Sequence, residues 1–450
     1  MKSKTLNMTE GNPVKLLLVF ALPMLLGNLF QQMYNLVDSV IVGKFCGTNA
    51  LAAVGATGSV NFLFFALCNG LGNGGGIVTA RHFGAGDEER VKSSIANSGY
   101  TLIFGAMIIG TVALILSGTI HVLLGTPEEI RGDSVLYMQM MCASLPLVAL
   151  YNHVSSMLRA LGDTRTPLVF LVIACALNIG LDIWFVYGME LGVLGVAIAT
   201  VLSQLVAGLG CLVFAAATNP YFKLQKRHFR VDWKIVWQTL RMGIPLSLQF
   251  SLIAISMMVL QTVINTYGPV VVAAYTSTGR VEQLLHQPYG TLSAALCTFT
   301  GQNLGAKKAE RLLLGYRKSL ILMAAFTLIM VPIMQLFSEN IIRIFVDDPE
   351  VIRCGAKGLR ITSCFYLLLG FINMSRGILN GVGDAVFALI NGGIELVVYL
   401  TVPFVLVELP MIGVWGIWLS VGICWLSSSI CCLLRYFAWK KRKYPKIQTA

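Results

Sequence analysis

The stretch VKLLLVFALPMLLGNLFQQMYNLVDSVIVG, residues 14–43, decides the fold. From Leu16 to Ile41 its only formally charged side chain is Asp38. A helix that crosses the hydrocarbon layer needs roughly 20 predominantly apolar residues, and this run exceeds that. It is too long for the core of a signal peptide and has no small-x-small cleavage pattern. The polar segment Met1–Lys15 therefore leads into a retained first membrane helix.

The rest of the chain repeats that character. Of 450 residues, 56% are hydrophobic and 12% charged, with mean hydropathy +0.75. Soluble domains carry about 25% charged residues, and a soluble fold of this size could not hide so much apolar surface. A soluble multi-domain enzyme and a disordered scaffold are both excluded. Apolar runs divided by turn clusters predict an all-α integral membrane protein with twelve spans, over 14–43, 52–80, 94–118, 134–158, 166–187, 193–217, 235–265, 271–300, 316–338, 356–377, 385–407 and 412–437.

The net charge of +12 does not point to nucleic acid, because no basic stripe alternates with exposed aromatics. It follows the positive-inside rule. With the N-terminus inside, 26 of the 33 Lys and Arg fall in inner segments, including Lys2, Lys4, Arg376 and Lys446. Six fall in outer segments, and Arg280 lies within a span. Both termini are thus expected in the cytoplasm of a multi-pass protein of the inner (cytoplasmic) membrane.

An internal repeat sets the domain plan. Pro23 recurs as Pro245, Phe83-Gly84-Ala85 as Leu304-Gly305-Ala306, Pro127-Glu128 as Pro349-Glu350, Gly162-Asp163 as Gly383-Asp384, and Gly192-Val193 as Gly413-Val414. The offset holds at 221 or 222. Inner loops map onto inner loops, so the units share one orientation, the parallel-repeat plan of several secondary transporters. The expected lobes are 1–217 and 235–437, each of six helices, joined by a cytoplasmic linker, 218–234, and followed by a basic tail, 438–450.

Charge at bilayer depth costs about 2.5–3.5 kcal/mol even on gentle scales, so acids inside spans mark function by default. Four sit there: Asp38, Asp182, Glu282 and Glu395. Asn28, Gln31, Asn35 and Asp38 follow helical spacing, with Tyr34 one turn before Asp38. Counting from the outer ends of spans one, five and six puts Asp38, Asp182 and Thr200 about 7–11 Å below the outer surface. Asn178 lies one turn below Asp182. Two carboxylates, an amide and a hydroxyl at one level suit a hard cation such as Na⁺. Two close carboxylates also tend to share one proton. The plainer reading is a satisfied polar cluster with outward-snorkelling aspartates.

The repeat maps Asp38 to Val259 or Leu260, Asn178 to Tyr399 and Asp182 to Pro403, so ion coupling would belong to the first lobe alone. The second lobe carries Arg280, Glu282, His286 and Glu395. Glu282 and His286 are spaced to touch. These groups form either a buried structural network or a substrate or second proton site.

Other motifs carry no chemistry. Gly70, Gly72 and Gly75 match a dinucleotide-loop pattern, but no strand precedes them. In a membrane helix such glycines permit close packing. The 11 cysteines form no CxxC pair, and the five histidines are scattered. Pro23, inside the first span, predicts a kink. No cofactor is called for, and no nucleophile–base or metal constellation supports an enzyme.

Pro23, the run Tyr34-Asn35-Leu36-Val37-Asp38, the turns at 162–163 and 383–384, and the loops Phe83–Gly86 and Gly301–Ala306 together resemble the multidrug and toxic compound extrusion (MATE) transporters over nearly the whole chain. The resemblance is to the bacterial branch with an acidic cation site in the first lobe. There an aspartate on helix 1, Asn-x₃-Asp on helix 5 and a threonine eighteen residues on bind H⁺ or Na⁺. Asp38, Asn178, Asp182 and Thr200 match that spacing. The resemblance implies a cation-coupled antiporter, acting as a monomer, that exports amphipathic, often cationic compounds through a central cleft. Gln31, Tyr34 and Asn35 would line its first-lobe side, Glu282 is a further cleft candidate, and Pro23 is the helix hinge. The alternative in the same broad superfamily is a lipid-precursor flippase, which would need a cationic cleft; Arg280 alone lies inside a span.

Overall fold

The computed structural model describes residues 5–443. Lys2, Lys4, Lys446 and the rest of the tail from 444 lie outside the described residues. Fourteen α-helices run in order: α1 (Pro13–Ile41), α2 (Thr48–Ala56), α3 (Gly58–Gly84), α4 (Glu88–Leu123), α5 (Glu128–Ala160), α6 (Arg165–Asp182), α7 (Gly192–Thr218), α8 (Trp233–Asn265), α9 (Pro269–Gly305), α10 (Ala309–Arg343), α11 (Pro349–Ser363), α12 (Tyr366–Gly381), α13 (Ala385–Glu408) and α14 (Gly416–Lys443). The described residues contain no strand. The last helix runs past the expected end at 437.

Among the described residues ten helical stretches are long and apolar enough to cross a membrane on their own. An eleventh crossing is α11 with α12, bent by 53° where the sequence predicts one helix. Gln335 of α10 explains the break. Its amide donates to the Arg360 carbonyl at 2.9 Å and to Ser363 Oγ at 2.8 Å. A side chain inserted into the backbone ladder is a recognised cause of a sharp bend. The twelfth is α9, 37 residues long, whose Arg280, Glu282 and His286 lower its hydropathy.

The chain packs into two compact units. One comprises Met1–Thr9, Leu22–Ser247 and Gly305–Lys307; the other comprises Glu10–Ala21, Leu248–Leu304 and Lys308–Ala450. Two boundaries fall inside helices, in α1 next to Pro23 and in α8 just past Pro245, at the repeat-related prolines.

The repeated Gly-Asp turns have one local cause. Gly162 and Gly383 take φ of +86° and +73°, a conformation that glycine adopts without penalty. The following aspartate then caps the next helix. Asp163 accepts from the Arg165 and Thr166 amides at 3.0 Å, and Asp384 accepts from that of Phe387 at 3.2 Å.

In the first unit the linker docks on the start of α4. Glu89 accepts from Arg227 at 2.9 Å and pairs with His228 at 3.1 Å, while Asn97 Oδ1 accepts from the Asp232 amide at 2.8 Å. The linker therefore lies at the same end of the unit as the loop before Glu88.

The glycine run of α3 permits backbone contact with α8. A Cβ added at Gly74 would lie 2.6 Å from the Gly243 nitrogen, and one at Gly243 would lie 2.8 Å from Leu71 Cα. Gly118 has nothing within 4 Å of such a Cβ. Gly74→Val should therefore cost about 1–3 kcal/mol or more through overpacking. It should lower the yield of folded protein in size-exclusion traces, whereas Gly118→Val should leave the yield unchanged.

Candidate functional site

Three helices of the first unit bring the polar residues together. Asn178 and Asp182 lie one turn apart on α6 and are 1% and 0% exposed. With its amide nitrogen turned to the carboxylate, Asn178 donates to Asp182 Oδ2 at 3.0 Å and to Tyr34 Oη at 3.3 Å. Its oxygen then accepts from the Thr200 backbone amide at 3.2 Å. Asn178 thus ties α1, α6 and α7 at one level. The Thr200 hydroxyl donates to its own helix, to the Val196 carbonyl at 3.0 Å, which leaves its oxygen able to accept.

Asp38 stands against Asp182 within hydrogen-bond reach. Asp38 Oδ1 and Asp182 Oδ1 are both shut away from solvent with no hydrogen-bond partner. Two carboxylates in contact repel unless a proton or a metal cation sits between them. The orphaned carboxylate oxygens, with the Thr200 hydroxyl close by, are oxygen donors of the kind that suits H⁺ or Na⁺, while Asn178 holds Asp182 through its amide N–H. Among the described residues no group of three or more His, Cys, Asp or Glu could hold a metal ion.

The backbone marks the same place twice. α1 ends in a π-helical turn, Val42–Cys46, four residues after Asp38. α6 ends at Asp182 itself, and a second π-helical turn follows, Ile183–Gly188. Such turns are rare and gather at functional sites. The first carries helix 1 past its expected end at 43 to Cys46, eight residues, roughly 12 Å, beyond Asp38. The aromatic rings Phe45 and Tyr187 meet edge-on at 5.7 Å across the two turns.

The sequence pattern does not single out Tyr137. This α5 residue is 6% exposed and close enough to both aspartates to feel their charge. Its only signal in the chain is a phenol inside an apolar span, where a hydroxyl needs a partner. Tyr34, read as cleft-lining, is part of the Asn178 network. Gln31 lines a separate polar cavity of about 190 Å³ in the same unit, with Pro23, Asn28, Asn69, Asn152 and Arg159. Asn35 is exposed.

Glu282 belongs to the second unit. Its Oε1 and the Nε2 of His286 are both enclosed without a hydrogen-bond partner, so the expected contact between them is not made. The imidazole packs against Trp425, with ring centroids 5.9 Å apart.

Arg376, read as an inner-segment cation, is instead built into this unit. It donates to Asn391 Oδ1 at 2.7 Å and to Glu395 Oε1, which also accepts from Ser428 at 3.0 Å. Arg280 is thus not the only arginine within a span; the Arg376 guanidinium is bound to Glu395 and Asn391 within the unit. Asn391 and Glu395, one turn apart on α13, were the available signal.

The MatE family model matches residues 23–184 and again 245–405, one match per repeat. The probable multidrug resistance protein YpnP of Bacillus subtilis is 29% identical, covering 98% of this chain and 99% of its own. A MATE solved in the bent conformation is 27% identical over 98% of this chain and 99% of its own, with a TM-score of 0.91. A MATE in the straight conformation is 27% identical over 98% of this chain and 100% of its own, with a TM-score of 0.89. With two family matches covering most of its length and a shared fold throughout, the chain belongs to the MatE family and is a multi-pass membrane transporter, not an enzyme.

Proposed function

We propose that the protein is an H⁺- or Na⁺-coupled antiporter that exports amphipathic, cationic drugs or toxic compounds by alternating access. It works as a monomer in the cytoplasmic membrane with both termini inside. The single observation that carries this reading is the enclosed Asp38–Asp182 pair, with two oxygens that lack any partner. The name of YpnP, a probable multidrug resistance protein, supports the choice of cargo.

The mechanism follows from neutralisation. Two carboxylates at bilayer depth are costly unless a cation joins them. Occupancy of the site by H⁺ or Na⁺ therefore changes which conformation is cheapest. Asn178 relays that change, because its amide faces α1, α6 and α7 at once. Pro23 removes one backbone bond of α1 and gives the helix a place to bend as occupancy changes. Solved MATE relatives described as bent and straight support a change between two conformations. Drug and cation then compete through the conformational equilibrium, by about 1–3 kcal/mol of reciprocal coupling.

The first test replaces charge and keeps shape. Asp38→Asn should reach the membrane at normal levels yet lose gradient-driven dye efflux by about tenfold or more. Asp182→Asn should match it, and the double variant should be no worse, because the pair acts as a unit. Efflux at the wild-type rate from well-expressed Asp38→Asn in proteoliposomes, under an imposed pH or sodium gradient, refutes the mechanism.

Orientation is tested by an impermeant thiol label in sealed cells. A cysteine at Trp233 should stay unlabelled from outside, and one at Leu124 should react; both positions are exposed.

The second unit should tune substrates or hold structure. Glu395→Gln leaves Arg376 without its counter-charge and should cost about 3–5 kcal/mol of stability. Adding Arg376→Gln should restore much of it. Glu282→Gln should shift the substrate profile while gradient-driven transport persists. Loss of transport for every tested dye in folded Glu282→Gln would place the coupling acid in this unit instead.

A further inference from the structure

α13 and α14 leave an apolar groove of about 580 Å³ between them, lined by Ile394, Ser427, Ile430, Cys431, Leu434 and Arg435. The α14 residues of the lining follow helical spacing and form one stripe. Ile430 and Leu434 are 51% and 66% exposed, so the stripe faces outward from the unit. On a membrane-spanning helix that surface meets acyl chains.

The stripe changes character at one end. Arg435 lies nineteen residues from the start of α14 at Gly416, about 28 Å along the helix, close to the full hydrocarbon thickness. Asp384 holds it in place through Nε at 2.6 Å and Nη2 at 2.9 Å, a fork that uses two of its five N–H donors. One and two turns further on, the same face carries Ala438 and then the exposed pair Lys441 and Arg442. An apolar trough that runs into a fixed guanidinium and a basic rim matches an acyl chain joined to an anionic headgroup. Basic residues just cytoplasmic of a membrane helix attract anionic lipid in this way.

We propose that the α13–α14 groove is a binding site for an anionic phospholipid of the inner leaflet, with one acyl chain along Ile394, Ile430 and Leu434 and the phosphate at Arg435. Asp384 is the positioning residue, since it aims the guanidinium without touching the lipid. The site lies wholly within the second unit and does not depend on the coupling scheme proposed above.

Native mass spectrometry of the full-length detergent-purified protein tests this. Dioleoyl-phosphatidylglycerol should give a discrete adduct at concentrations where dioleoyl-phosphatidylcholine gives none, and glycerol 3-phosphate should not compete with it. Arg435→Gln should weaken the adduct roughly fivefold, the loss of one basic contact. Because that change also strips Asp384 of its partner, a second variant keeps the ion pair and fills the trough. Ile430→Trp combined with Leu434→Trp should weaken the adduct by at least as much. Equal binding of both lipids, an unchanged adduct in the trough-filled variant, or competition by glycerol 3-phosphate would overturn the proposal. A dimer mass with no lipid adduct would give the face to a second copy of the chain and would overturn it too.

Discussion

A carboxylate inside a hydrocarbon layer must be neutralised or pay several kcal/mol, and the rest of the structure depends on that constraint. The chain meets it in three ways. Asp38 and Asp182 face each other within one unit, each with one enclosed oxygen that lacks a partner. Glu395 is neutralised permanently by Arg376. Glu282 is enclosed with one oxygen lacking any partner. The first arrangement is open to a mobile cation, and the second is closed by its own arginine. That difference is the physical basis of the proposal that coupling belongs to the first unit and that the Arg376–Glu395 pair is structural.

The internal repeat preserves backbone devices more faithfully than chemistry. The Gly-Asp turns at 162–163 and 383–384 both cap a helix, and Pro23 and Pro245 both stand beside a boundary between compact units. The polar positions have diverged. Asn178 has Tyr399 as its counterpart and Asp182 has Pro403, both buried. Turns and hinges follow from local geometry that a fold needs in each copy. Under the proposed coupling one acidic pair is enough, and a second pair of buried acids would add desolvation cost alone.

Residues 14–43 and the charge bias determined the membrane class, and the 221–222 offset determined the repeat, because apolar length, loop charge and self-similarity are properties of the linear chain. Helical spacing also placed Asp38, Asn178, Asp182 and Thr200 at one depth. Only the tertiary structure decided which atoms meet. It drew Tyr34 to Asn178, buried Tyr137 within range of the acids' charge, joined Arg376 to Glu395 and kept Glu282 from His286. It also decided two backbone departures that no local pattern announces, the π-helical turns after the aspartates and the bend that Gln335 makes between α11 and α12. The physical reason is range. Depth and periodicity follow from neighbours a few residues apart, whereas a hydrogen bond between helices depends on how separate segments rotate when they pack.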